Sequence, residues 1–203
     1  YTVTDSHGVT RTATVSVDVK PVADAPVLTA QQNIAEKIGG EFLVNATTVG
    51  GQFQTSVTTL ANGNFVIAWT DTSYSGGDAN GDSVKAQLFD ATGNKLGDEF
   101  LVNTETSASQ RQPKTTALAN GGFVVSWSDL SGLGGDASGA SVRAQVFDAN
   151  AVKVGGEILV NTATTGEQDD RTITALANGG FVIAWDDTSG EGGDASGSSI
   201  KAQ

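Results

Sequence analysis

The chain contains no cysteine, no methionine, three prolines and a single histidine among its 203 residues. Without cysteine there are no disulfide staples, no thiolate nucleophile and no cysteine-ligated metal, so packing and bound cations must supply stability. Basic residues are scarce too: 11 against 23 acidic ones leave a formal net charge of −12. That sign repels phosphate backbones and anionic lipid, which argues against nucleic acid as a partner and favours hard cations. No apolar run approaches the roughly 20 residues that cross a bilayer, so no membrane insertion is expected in this segment. The chain opens on Tyr1 rather than Met and stops inside a strand-like run, which predicts a piece of a longer polypeptide.

What the chain has instead is repetition. The stretch 117–129, ALANGGFVVSWSD, recurs with one fixed offset: Trp69, Trp127 and Trp185 are 58 residues apart, and Asn62, Asn120 and Asn178, Phe65, Phe123 and Phe181, and Asp71, Asp129 and Asp187 keep the same step. Such recurrence makes repeat architecture the first question. With Lys37, Lys95 and Lys153 taken as equivalent, the units are 37–94, 95–152 and 153–203, the third seven residues short.

Each unit offers four strand-like runs. In the first they are Glu41 to Asn45, about Ser56 to Leu60, Phe65 to Trp69 and Val84 to Asp90. An Asn62-Gly63 or Asn120-Gly121 step predicts a type I′ hairpin turn with positive φ at both corners. The run Phe65 to Trp69 is apolar at successive positions, which suits a strand covered on both faces. Helical spacing is absent, and the 26 glycines argue against helices. Four short antiparallel strands repeated head to tail match β-propeller blades, whose apolar faces need neighbours. The expectation is an all-β fold: a partial β-propeller of about three four-stranded blades in an open arc, with a stacked open solenoid as the alternative.

Residues 1–30 alternate apolar and polar positions around Asp5-Ser6-His7-Gly8, with Ala13, Val15, Val17 and Val19 continuing at period two before Pro21 and Pro26. This reads as a β-hairpin of an incomplete module, and residues 31–36 as a linker. The stretch YTVTDSHGVTRTATVSVDVKPVADAPV resembles the closing hairpin of the cadherin-like, immunoglobulin-type sandwich modules of very large bacterial surface and secreted proteins. Ala23 stands where that family has asparagine before Asp24, so no junctional calcium is carried over to Asp24.

The acidic loop after Trp69 is the sharpest candidate site. It holds Asp71, Asp78, Asn80 and Asp82, and its counterparts hold Asp129 with Asp136 and Asp187 with Asp194. Calcium takes six to eight hard oxygens, and the Asp78-x-Asn80-x-Asp82 spacing is similar to the start of known calcium loops. Two readings stay open: a Ca2+ site, or turns built by Asx hydrogen bonds. Phe89 to Asn94 reads as a hairpin turn, and the tryptophans as core rather than a sugar platform.

No catalytic set is expected. His7 has no serine-plus-acid pattern around it, repeated equivalent acids do not make a unique catalytic pair, and GGDANGDSVK lacks the P-loop order. The repeat motifs, V-N-T, A-L-A-N-G-G-F-V-V-x-W and V-x-A-Q-x-F-D-A-x-G, resemble repeats found beside cadherin-like modules in giant secreted bacterial proteins. That resemblance implies a non-enzymatic, extracellular or cell-surface, adhesin-like segment stiffened by calcium. Its partners would be other surface proteins, glycans, or neighbouring repeats of the same chain. A carbohydrate-binding propeller and an accessory region of a secreted hydrolase are the alternatives.

Overall fold

The computed structural model describes residues 2–13 and 39–203, in two compact units, 1–41 and 42–203. The expected strand through Val15, Val17 and Val19, the junction at Asp24 and the 31–36 linker lie outside the described residues. In the first unit β1 (Thr2–Thr4) and β2 (Thr10–Thr12) form the expected antiparallel hairpin.

The second unit holds three sheets among the described residues, and all are strand meanders whose spatial order follows the chain. The first comprises β3 (Gln52–Thr59), β4 (Phe65–Asp71), β5 (Ser83–Phe89) and β6 (Lys95–Leu101). The second comprises β7 (Gln110–Ala117), β8 (Phe123–Asp129), β9 (Ser141–Phe147) and β10 (Lys153–Leu159). The third contributes β11 (Gln168–Ala175), β12 (Phe181–Asp187) and β13 (Ser199–Ala202). No helix occurs among the described residues, and the architecture is that of a partial propeller.

The phase of the repeat differs from the sequence expectation. The run that opens each sequence unit is the last strand of the preceding sheet: Lys95–Leu101 pairs with β5, and Lys153–Leu159 with β9. Residues 41–45, read as the first strand of the first unit, are not in a strand at all. A head-to-tail repeat can be cut anywhere without changing its sequence period, so periodicity alone cannot say which strands pair.

The hairpin turns also differ from expectation. Leu60 N–H donates to Asn64 O at 2.7 Å, and Gly63 N–H donates to Leu60 O at 3.0 Å. Only Gly63 has positive φ, at 86°, while Asn62 does not. The loop is therefore a type I turn followed by one left-handed residue, the three-residue hairpin, rather than the two-residue type I′ form. The same hydrogen-bond pair recurs at Leu118 and Leu176, and again at Asp5, Asp90 and Asp148. At those three the aspartate Oδ1 accepts the N–H groups two and four residues on, as an Asx turn should.

Core packing follows from the two-sided apolar run. Phe123, Val125 and Trp127 of β8 join Val66, Ala68, Val84, Ala86 and Leu88 of the first sheet in one buried cluster. Val124, on the opposite face of β8, packs with Val142, Ala144 and Val160, and against Ile183 and Trp185 of the third sheet. Phe123 and Phe147 stack with centroids 4.9 Å apart, and Phe65 and Phe89 repeat the pair at 5.0 Å. Trp69, Trp127 and Trp185 are at most 4% exposed, so they fill the core and offer no platform to sugars.

Two alanines occupy left-handed backbone where the other copies have glycine. Ala108 has φ of 56° against 71° at Gly50 and 77° at Gly166, and Ala151 has φ of 63° against 89° at Gly93. Ala108→Gly and Ala151→Gly should each stabilise the fold by about 0.5–1 kcal/mol. Urea melts report this as a raised midpoint at unchanged slope.

Candidate functional site

Each sheet has two unlike ends. Tight hairpins close one, and the long β4–β5 type loop with the connector to the next sheet builds the other. There the loop and the following connector touch: Gln110 N–H donates to Asp82 O at 2.7 Å, and a Cβ on Gly81 would lie 1.9 Å from Ala108 O. The second and third sheets repeat the contact, with Gln168 N–H donating to Ala140 O at 2.9 Å.

Beneath this end lies a buried ionic set. Trp69 and Lys85 are cross-strand neighbours, as are Trp127 with Arg143 and Trp185 with Lys201. Lys85 Nζ lies 3.2 Å from Asp71 Oδ1 and 3.1 Å from Glu99 Oε1, and its side chain is only 2% exposed. In the second sheet Arg143 lies between Asp129, at 3.4 Å, and Glu157, at 3.9 Å; in the third Lys201 meets Asp187 at 3.0 Å. Glu99 reaches its lysine because β6 is bulged. Residues 97–99 stand opposite the single residue Gln87, whose buried amide donates to Leu88 O, Leu96 O and Gly97 O.

Burial opposes ionisation of Asp71, yet hydrogen bonds from the Ser73 hydroxyl and N–H, together with Lys85, hold its carboxyl below the usual range. Glu99 behaves alike: burial opposes, but the N–H groups of Ala46 and Thr47, the Thr47 hydroxyl and Lys85 lower it. Asp187, opposed by burial, is held down by Ser189 and Lys201.

A second set fastens each connector to the sheet before it. Asn103 Nδ2 donates to Asp78 Oδ2 at 3.1 Å, Glu105 O at 2.7 Å and Gln110 Oε1 at 3.1 Å, while its Oδ1 accepts from Val84 N–H at 2.9 Å. Asn161 makes the same four contacts, with Asp136, Ala163, Gln168 and Val142.

The eight candidate calcium residues are thus distributed rather than convergent. Asp71 and Asp129 face buried cations and Asp187 the part-exposed Lys201, and Asp78 and Asp136 accept from buried asparagines. Asp78 Oδ1 also accepts from Asn80 N–H. Asp82 pairs with Arg111 Nε at 2.5 Å, and Asp194 accepts from Ser196 N–H and is exposed. No group of three acidic or histidine side chains able to hold a metal occurs among the described residues. At Asp71, Asp82, Asp129 and Asp187 an ammonium or guanidinium already stands against the carboxylate. Sequence reasoning missed the buried bases, although their signal was present: a Lys or Arg inside an apolar strand in every copy, with Glu41, Glu99 and Glu157 in step.

The innermost strands β3, β7 and β11 carry a third repeated feature. Each has one extra residue, between Phe53 and Ser56, Arg111 and Lys114, and Asp169 and Thr172. Gln54, Gln112 and Asp170 there take φ of 56°, 57° and 47°. Gln54, Thr55, Gln112, Pro113, Lys114, Asp170 and Arg171 line a polar cavity of about 240 Å³. Arg171 joins two of the strands: its guanidinium donates to Arg111 O, Gln112 O, Ser128 Oγ and Asp169. Burial pushes Arg171 down to about 10 against the pull of Asp169, so it stays charged at neutral pH.

No family model and no curated protein matches the chain. Among solved structures, the endo-arabinase from Bacteroides thetaiotaomicron VPI-5482 is similar over 75% of this chain and 55% of its own, at 13% identity and a TM-score of 0.45. The haemagglutinin-neuraminidase ectodomain of parainfluenza virus 5 is similar over 71% of this chain and 31% of its own, at 12% identity and a TM-score of 0.40. The chain therefore spans about half of the first and under a third of the second. Likeness at this level carries no argument about activity.

Lys85→Met leaves two buried carboxylates without their cation and should cost about 3–5 kcal/mol. Because Asp71, Glu99 and Asp187 have lowered folded-state values, their stabilisation is complete above the unfolded carboxyl range of about 4 and is lost as pH falls through the folded values. Melting temperature should hold steady from neutral pH to about 5 and fall below about 4, where the gap between wild type and Lys85→Met narrows.

Proposed function

We propose that the chain is a non-catalytic structural and binding module of a large extracellular or cell-surface, adhesin-like protein. The observation that carries this reading is the fate of the repeated acids. In every sheet the loop aspartate pairs with a Lys or Arg on the neighbouring strand, buried at Lys85 and Arg143 and part-exposed at Lys201. Against burial, hydrogen bonds and the paired lysine lower the carboxyl's proton affinity at Asp71 and Asp187, which makes a poor general acid or base. Repetition of the set also points to construction. The extracellular setting rests on the resemblance of the repeat motifs and the closing hairpin to secreted surface proteins.

On this reading the protein's own cations take the stiffening role first expected of calcium. Calcium and chelator should leave the melting temperature unchanged. The purified chain should turn over no glycoside, ester or peptide substrate. Turnover that disappears in Glu99→Gln while the fold survives would contradict the proposal.

One feature favours glycan binding as the binding function. The axial cavity is walled by amides, a hydroxyl, a carboxylate and two cations, a lining suited to a hydroxyl-rich ligand, and its three bulge residues hold left-handed backbone of the kind that concentrates at binding sites. At 240 Å³ it is smaller than the usual range for drug-sized ligands, so one sugar unit is the most it would hold. A glycan array should give signals lost in Gln112→Ala, whereas a blank array removes this second reading.

A further inference from the structure

The innermost strands carry polar side chains that the fold itself leaves idle. Gln54, Thr55, Gln112, Lys114 and Asp170 line the 240 Å³ cavity. Among the described residues their side chains make one hydrogen bond to protein, in which Gln54 Oε1 accepts from Thr70 Oγ1 at 3.0 Å. Glutamines elsewhere in the sheets behave differently: the side-chain amides of Gln52, Gln87, Gln110, Gln145 and Gln168 all donate to backbone carbonyls.

The backbone that presents these idle groups is held from behind. Gln54, Gln112 and Asp170 keep left-handed φ of 56°, 57° and 47°, a conformation that persists only where the surroundings over-determine it. At Gln112 the N–H donates to Thr70 Oγ1 at 2.9 Å and the carbonyl accepts from Arg171. The same guanidinium donates to Arg111 O at 2.9 Å and Asp169 Oδ1 at 3.1 Å. The Arg171 side chain is 0% exposed, so it belongs to the support of the wall and not to its contact surface. A fixed backbone with uncommitted polar ends loses little freedom when a ligand arrives.

Building on the glycan reading of this cavity, we propose that it takes a sugar acid: one hexuronate unit, with its carboxylate against Lys114 and its ring hydroxyls against Asp170 and the glutamine amides. The charges choose this class. Lys114 stands on β7 and Asp170 on β11, both are exposed, and neither forms an ion pair among the described residues. Behind them Arg171 and Asp169 pair with each other. An ammonium has three donors and no acceptor, so a ligand carboxylate is its natural partner; a side-chain carboxylate only accepts, and adjacent ring hydroxyls supply its donors. A neutral sugar answers Asp170 alone. A second ligand carboxylate would face Asp170 and be repelled, so the wall suits one negative charge per sugar unit. The net charge of −12 does not forbid this, because exposed charges farther away than about 8 Å are largely screened at physiological salt.

Calorimetric titration of the chain with the methyl glycosides of glucuronic acid and of glucose tests the assignment, with acetate as a third probe. The acid should bind about fivefold more tightly than the neutral sugar, the size of an exposed ion pair. That margin should vanish in Lys114→Gln, and also in about 1 M salt, where the screening length falls to about 3 Å. Lys114→Gln should keep the wild-type melting temperature, since the side chain it replaces bonds to nothing in the fold, which separates a lost preference from lost folding. Equal affinity for the two sugars, or a preference that survives Lys114→Gln, overturns the acid and leaves the glycan reading standing. Acetate binding as tightly as the glucuronide shows an adventitious carboxylate only and overturns the sugar ring. No binding of either sugar at about 10 mM, where a millimolar site would be filled, overturns this proposal and the glycan reading together.

Discussion

Strand β8 buries side chains on both of its faces, and the rest of the second unit depends on that double burial. All seven of its residues are buried, with Phe123, Val125 and Trp127 turned to one neighbouring sheet and Val124 to the other. A four-stranded meander alone would leave both apolar faces in water, so each sheet is stable only as part of a stack. Burial of such residues is worth about 1.5–3 kcal/mol apiece, far more than the turns contribute. Apolar contact is also undirected, and it does not by itself say how far one sheet slides over the next.

Polar groups supply that direction. The Lys85 set lies within one sheet and joins its second, third and fourth strands, while Glu99 also receives the N–H groups of Ala46 and Thr47. The Asn103 node ties the connector to the loop of the sheet before it and to the start of the sheet after it. Buried ion pairs add little net stability compared with apolar replacements, but breaking one is costly. Their effect here is to admit one register and penalise the others.

Much of this architecture was legible in the sequence, for identifiable reasons. The 58-residue step and the unbroken apolar run at Phe65 to Trp69 specify a β strand covered on both sides, and Trp burial follows. Strand pairing was not legible in full, because a tandem repeat has no marked starting point, and only contact reveals that Lys95 to Leu101 closes the earlier sheet. The Asn-Gly step misled on turn type, since the dipeptide suits both two- and three-residue hairpins and loop length decides between them. The acidic loop was read as a calcium candidate because composition displays carboxylates and hides their partners. Lys85, Arg143 and Lys201 are distant from those aspartates in sequence and adjacent only across the β ladder. The bulges gave no repeated signal, as Gln54 and Gln112 are not residue types that announce left-handed backbone and only Asp170 is.

Native-state hydrogen exchange measures the double burial of β8 most directly. If the central sheet is stable only because it is covered on both sides, the amides of Phe123 to Asp129 open with the full unfolding free energy and are the slowest in the chain. Those of β3, an edge strand with no fully buried side chain, should exchange faster by local opening. Equal or faster exchange in β8 than in β3 would contradict the account.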